Sequence, residues 1–142
     1  MIIPDVNLLL YANMSGFPQH KLAQKWMEDL LSGNEEVGIP TVATFGFIRI
    51  ATSRRVFKTP LSVDQALKRV ESWMMQPQVT LLLPGRRHLE IAFTLLRNLG
   101  TAQNLTTDAQ LAAHAIENQA ELHSNDSDFA RFPGLRWVNP LS

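Results

Sequence analysis

The chain contains no cysteine. Disulfides and thiolate-held metals are thereby excluded, and the composition fits a reducing, cytoplasmic setting. It also lacks net charge, with 13 basic against 13 acidic side chains. Attraction of the whole molecule to a polyanion is excluded as a driving force, so any nucleic-acid binding must come from a local patch. No run approaches the roughly 18 consecutive apolar residues of a membrane span. The N-terminus lacks a basic segment followed by a long apolar one, and so does not read as a secretory signal. Repeats, low-complexity tracts and linkers are absent as well. What is present is 142 residues, 45% of them hydrophobic and only 18% charged. That balance belongs to a folded chain, and the expectation is one domain over residues 1–142 with a sizeable core.

Apolar periodicity organises the chain. Met1–Val6 reads as a short buried strand and Asn7–Asn13 as a brief helix. Gln19–Leu31 reads as a helix, with Leu22, Trp26 and Leu30 repeating every four residues beside Ala23, Met27 and Leu31, and Gly33-Asn34 ends it. Val37–Ile39 is a strand, and Pro40 opens a helix over Thr41–Thr52. Leu61–Met75 is helical, with Ser62 and Gln65 spaced for a capping box and Ala66, Leu67, Val70, Trp73 and Met74 facing inward. Val79–Leu83 is an apolar strand. His88–Leu99 is a helix with Leu89, Ala92, Phe93, Leu96 and Leu99 inward, closed by Gly100. Thr106–Asn118 is another helix, and Glu121–Ser124 and Arg136–Val138 are strands. Trp26, Trp73 and Trp137 fall at core spacing. Strands alternating with helices predict a small parallel sheet covered on both faces, with ligands beyond the carboxyl ends of the strands.

Carboxylates gather at those predicted ends. Asp5 closes the first strand, Asp126 and Asp128 follow the strand ending near Ser124, and Asp108 opens a helix. Acids brought together repel, and stay ionised together only beside a cation. Oxygen donors without histidine or sulfur suit Mg²⁺ or Mn²⁺. Each acid alone also fits a structural role. Asp5 suits an N-cap, Asp108 the positive end of a helix capped by Thr106, Asp126 a turn leading into Phe129, and Asp128 the solvent. Their clustering is what a structural role leaves unexplained. His20 and His88 stand at helix starts, where capping or packing is the ordinary role. Two basic turns, Arg54-Arg55 with Lys58 and Arg86-Arg87-His88, suit phosphate, an acidic protein segment, or plain surface charge.

Six stretches carry a resemblance along nearly the whole chain: DVNLLLYA at 5–12, HKLAQKW at 20–26, FGFIRIATSRRVFKTPLS at 45–62, PGRRH at 84–88, LTTDAQLAAHAIENQAEL at 105–122 and NDSDFARFPGLRWVNPL at 125–141. Together they resemble the PIN-domain ribonucleases, specifically the toxins of VapBC-type toxin–antitoxin pairs. The resemblance implies a three-layer α/β/α sandwich with a small parallel sheet, and metal-dependent hydrolysis of RNA phosphodiester bonds. By position, Asp5, Asp108 and Asp126 match the family's metal-binding acids and Asp128 an accessory acid. Ser124 stands where the family often has a hydroxyl residue near the site. Asn7 shares the motif of Asp5 and is placed to orient it. The resemblance also implies Mg²⁺ or Mn²⁺ as cofactor, RNA as substrate, a cognate antitoxin as partner, and a homodimer. The apolar start of the 41–52 helix is one surface for that second copy, although burial in the core accounts for it equally well.

One departure stands out. The family usually carries a Glu in the helix after the second strand, in the word Glu-Phe-Leu-Arg; here the word is Gly46-Phe47-Ile48-Arg49, and no acid lies between Val37 and Asp64. Arg49 then either contacts phosphate or pairs with a carboxylate. A catalytically weak RNA-binding module is accordingly the alternative expectation. A phosphohydrolase with an Asp nucleophile ranks lower, because the first strand ends Asp5-Val6-Asn7 and not in a DxD word. No Ser/His/Asp arrangement is evident.

Overall fold

Strands β1 (Ile2–Pro4) and β2 (Val37–Pro40) both end on a fully buried proline. Proline has no N–H to carry a ladder further, so each strand stops there and the chain turns into a helix. The computed structural model describes residues 1–142. After β1 and its helix α1 (Val6–Asn13) comes α2 (His20–Ser32); after β2 come α3 (Thr41–Ala51) and α4 (Val63–Met74). Strand β3 (Val79–Leu82) leads to α5 (His88–Leu99) and α6 (Leu105–Glu117), then β4 (Glu121–His123), a 3-10 turn at Ser127–Arg131, and β5 (Arg136–Val138). All strand pairs are parallel, in the order β3-β2-β1-β4-β5. The expected α/β/α sandwich with a small parallel sheet is the architecture found. None of its helices is long and apolar enough to cross a membrane.

One cluster of 31 buried residues draws on all six helices and on four of the five strands, so the strand ends are fixed to a single packed body. Phe47 and Trp73 meet edge to face inside it, with centroids 4.9 Å apart. Trp26 and Trp137 only lean on it, half-buried, rather than joining the core.

Several element limits and faces differ from expectation for identifiable reasons. Val6 belongs to α1, because Asp5 is that helix's N-cap. Helix α4 starts at Val63, not Leu61. Ser62 Oγ accepts from the Gln65 amide at 3.1 Å while Gln65 Oε1 accepts from the Ser62 amide at 2.9 Å, the expected capping box. Helix α6 starts at Leu105, and Thr106 is no cap: its hydroxyl donates to the Gln103 carbonyl at 2.7 Å. In α5 the buried face is His88, Ile91, Ala92 and Leu95, leaving Leu89 and Phe93 exposed. Leu22 and Leu67 are exposed likewise. Apolar residues on these helices exceed what one contact face can cover, and three-dimensional packing selected the adjacent stripe. Strand β3 is a sheet edge, and both Thr80 and Leu81, on its opposite faces, are exposed. His88 does pack, as expected, with its ring 4.3 Å from that of His114.

The departure at Gly46 has a packing counterpart. Helices α1 and α3 pass so closely that a Cβ on Gly46 would lie 2.9 Å from Val6 Cγ2. Valine is stiff at χ1 and cannot swing aside cheaply, so this approach requires glycine. Gly46→Ala should cost about 1–3 kcal/mol of stability through overpacking. Combining it with Val6→Ala should give a smaller loss than the sum of the two single variants in urea denaturation. Additive losses would contradict the contact.

Candidate active site

The strand order decides where the acids meet. From β1 the chain moves to β2 on one side, and later returns to place β4 on the other. Beyond the carboxyl ends of β1 and β4 the connections diverge, opening the crevice expected at a switch in strand order. Asp5 follows β1 directly, and Ser124 and Asp126 follow β4. Helix α6 feeds β4 through a short link and runs against the strand direction, so its first turn, with Asp108, returns to the same edge. Three distant segments thus meet at one end of the sheet.

Ser124 organises them. Its side chain is fully buried, and its hydroxyl donates to Asp5 Oδ2 at 2.7 Å. The same oxygen accepts from the Asp126 amide at 3.0 Å and from Asn7 Nδ2 at 3.3 Å. A serine hydroxyl has one donor and two acceptor positions, and all are used. Asp5 is further held by the Val6 amide on Oδ1 at 2.6 Å, and its own amide donates to the His123 carbonyl at 2.9 Å. Asp126 caps the 3-10 turn by accepting from the Asp128 amide at 2.9 Å. The structural roles weighed for Asp5 and Asp126 are therefore real, and both residues also face the crevice. The capping geometry positions the carboxylates.

A cleft of about 710 Å³ brings together Asp5, Asn7, Arg49, Asp108 and Asp126, with Gly46 on its wall. Ser124 lies behind Asp5, out of the lining, and Asp128 is exposed and also outside it. Val6, Leu10, Val42 and Phe45 supply an apolar flank. Thr107, beside Asp108, lines the cleft too; its only signal in the sequence is its place in the first turn of α6. Tyr11 was also missed. Burial raises its phenol pKa, and the charges of Asp5 and Asp126 raise it further.

Like charges are crowded here. Burial raises the pKa of Asp5, with the Ser124 and Val6 hydrogen bonds opposing and the charge of Asp126 adding to the rise. Asp108 is pushed up to about 7, first by burial and then by Asp5, Asp126 and Asp128, while Arg131 acts the other way. Asp5 thus feels Asp126, and Asp108 feels Asp5, Asp126 and Asp128. Arg49 forms no ion pair with any of them, which removes the carboxylate-pairing role expected as one option.

No three His, Cys, Asp or Glu groups form a ready-made metal cage in these side-chain positions. The chemistry of the donor set nevertheless fits a hard cation. The acids offer only oxygen, and their repulsion favours a positive neighbour. Asn7 Oδ1 is buried and has no hydrogen-bond partner, an acceptor left open beside Asp5.

Residues 2–135 match the family model described as PIN domain. The chain belongs to the PIN-domain family. This PIN domain is closely related to the VapC ribonucleases: it is 55% identical over 141 residues, 99% of each chain, to Ribonuclease VapC33 of Mycobacterium tuberculosis. Its fold is shared with VapBC-1 from nontypeable Haemophilus influenzae, with a TM-score of 0.71 at 20% identity over 100% of both chains. A toxin-antitoxin complex from Klebsiella pneumoniae gives a TM-score of 0.68 at 18% identity, covering 99% of this PIN domain and 98% of that chain.

Crowded acids make the PIN domain's stability depend on pH. An aspartate in the unfolded chain loses its proton near its ordinary value of 3.8, whereas Asp108 in the fold keeps it to about 7. Between those values the folded state binds more protons, so stability falls as pH rises through the window. In EDTA, Asp108→Asn should melt with the wild type below pH 4 and several degrees above it past pH 7. A wild type that is equally or more stable at the higher pH would contradict the crowding.

Proposed function

We propose that this PIN domain is a metal-dependent endoribonuclease that acts as the toxin of a toxin–antitoxin pair. The observation that carries the reading is the convergence of Asp5, Asp108 and Asp126 on one cleft, where Asp126 disfavours ionisation of Asp5 and both disfavour that of Asp108. Its 55% identity to a protein named a ribonuclease supports it.

In this reading Asp5, Asp108 and Asp126 hold Mg²⁺ or Mn²⁺, directly or through water, with Asp128 an accessory acid acting on Asp108 from outside the cleft. Bound there, the ion supplies charge stabilisation for the phosphoryl transition state and activates water. The chain's own residues do the positioning. Ser124 and the Val6 amide fix the Asp5 carboxylate in one orientation, and Asn7 adds a neutral oxygen beside it. Arg49, free of ion pairs and on the cleft wall, binds a phosphate oxygen of the RNA. One of the carboxylates orients the attacking water in line with the scissile bond. Water adds to phosphorus and gives up a proton to solvent, the P–O3′ bond breaks and the departing O3′ takes a proton from solvent, so the products carry a 3′-hydroxyl and a 5′-phosphate.

The cognate antitoxin belongs to the same reading. Phe45, on the apolar flank of the cleft, is 65% exposed. A protein partner that covers Phe45 and Val42 also reaches the acids with a basic side chain. The same helix start serves a homodimer, since Thr41, Phe45, Met74 and Leu81 line an adjoining apolar hollow.

A second reading rests on Gly46. The close α1–α3 approach leaves no room for the family's usual Glu, so a weakly catalytic RNA-binding module is the alternative. Cleavage of RNA by the purified chain with added Mn²⁺ separates the two. We expect cleavage that EDTA abolishes, and a loss of kcat/KM in Asp5→Asn of roughly a hundredfold, the scale of removing one preorganised charge-stabilising group. Equal cleavage by wild type and variant would overturn the assigned site. Metal-dependent binding without cleavage would favour the module.

A further inference from the structure

An acid-lined cleft repels the substrate proposed for it, and a molecule of zero net charge offers no compensating long-range attraction. The needed cations must lie beside the cleft. From Val37 to Val63 the chain holds no Asp or Glu, but it holds Arg49, Arg54, Arg55 and Lys58. None of the four is ion-paired. Elsewhere Lys25 is paired with Asp29, Lys68 with Asp64 and Arg87 with Glu90, and the remaining unpaired cations are scattered along the chain; only this stretch gathers four within ten residues and holds no acid. The other basic turn is built around an acid, with Glu117 accepting from the Gly85 and Arg87 amides at 2.8 Å each. The negative end of α3 calls for a cation in its last turn, and Arg49 is there. Arg54, Arg55 and Lys58 remain without a partner, all of them exposed.

They also border a second hollow. Thr52, Arg54, Lys58, Pro60, Ser62 and Gln65 line a space of about 560 Å³ where α3 gives way to α4. Thr52 follows Arg49 by one helical turn, about 4.5 Å of rise, and Arg49 is on the wall of the acid cleft. The two hollows thus reach the end of α3 at Ile50 and Thr52, two residues apart. The segment between them is braced, not loose: the Leu61 amide donates to the Ala51 carbonyl at 2.9 Å, and the Phe57 amide to the Ser53 carbonyl at 3.0 Å. The Phe57 ring meets Phe17 edge to face at 5.6 Å.

The geometry points to the Arg54–Lys58 turn as a backbone-holding extension of the RNA site: Arg54 and Lys58 grip phosphates of the single strand whose neighbouring segment lies in the acid cleft, with Arg49 between. The inference rests on the nuclease reading of that cleft. It assigns affinity and register to the turn, not sequence choice, because phosphate contacts carry no base information. An acidic protein segment is the other polyanion such a turn accepts. Continuity with the cleft favours the strand that already enters it.

Binding can be read without cleavage. The probe is a fluorescein-labelled oligouridylate of about 12 nucleotides, followed by anisotropy in EDTA across a salt series. In Arg54→Gln/Lys58→Gln we expect the dissociation constant to rise about tenfold, and the slope of log Kd against log salt to shrink by about 1.4, or about 0.7 for each phosphate no longer neutralised. Lys25→Gln, whose lysine is paired on α2, should leave both unchanged, and matching circular dichroism spectra confirm folding. Absent wild-type binding, or an unchanged constant and slope in the double variant, overturns the inference. So does a double variant that keeps RNA but loses the cognate antitoxin. Cleavage with Mn²⁺ is scored separately. RNA bound through the turn but never cut overturns the nuclease reading alone; RNA cut with KM indifferent to the double variant overturns the role of the turn alone.

Discussion

One serine hydroxyl holds the site's most buried carboxylate in place. Asp5 sits at the end of the central strand, where an ionised acid loses most of its hydration. An unpaired charge there is costly. Ser124 and the Val6 amide each give it a hydrogen bond, and these oppose the effect of burial without cancelling it. The same hydroxyl receives the Asp126 amide, so the group that makes Asp5 tolerable also draws a second acid toward it. Asp108 completes the crowding from α6. A parallel sheet puts the ends of β1 and β4 side by side.

The rest of the fold serves that edge. Buried prolines stop β1 and β2 at the point where the chain must turn into the site. Gly46 lets α3 press against α1, so the cleft wall there is backbone and apolar side chain, with no carboxylate from α3. Arg49 is the only charged side chain that α3 gives the wall, and the basic 54–58 turn follows it. Acid on one side and base on the other suits a ligand that carries both a cation and phosphates, as a metal-bound RNA strand does.

Much of this was legible in the residues. Alternation of apolar strands with amphipathic helices indicated the sandwich, and the Ser62–Gln65 spacing indicated its capping box. Asp5, Asp108 and Asp126 could be picked out because each falls at an element end, but their meeting depended on β4 lying next to β1, which local sequence does not encode. Ser124 was noticed by position, whereas its three-way hydrogen bonding exists only in the folded arrangement. Leu89 and Phe93 were misjudged because α5 is apolar over a wider arc than its contact face. Thr107 and Tyr11 carried no pattern of their own; only packing brings them to the acids.

The most direct test is diffraction from crystals soaked in Mn²⁺. The account predicts an anomalous peak within the cleft, coordinated by oxygens of Asp5, Asp108 or Asp126 or by waters they hold, and lost in Asp5→Asn crystals. A cleft without a peak, with the three carboxylates dispersed into solvent or paired with basic side chains, would contradict it.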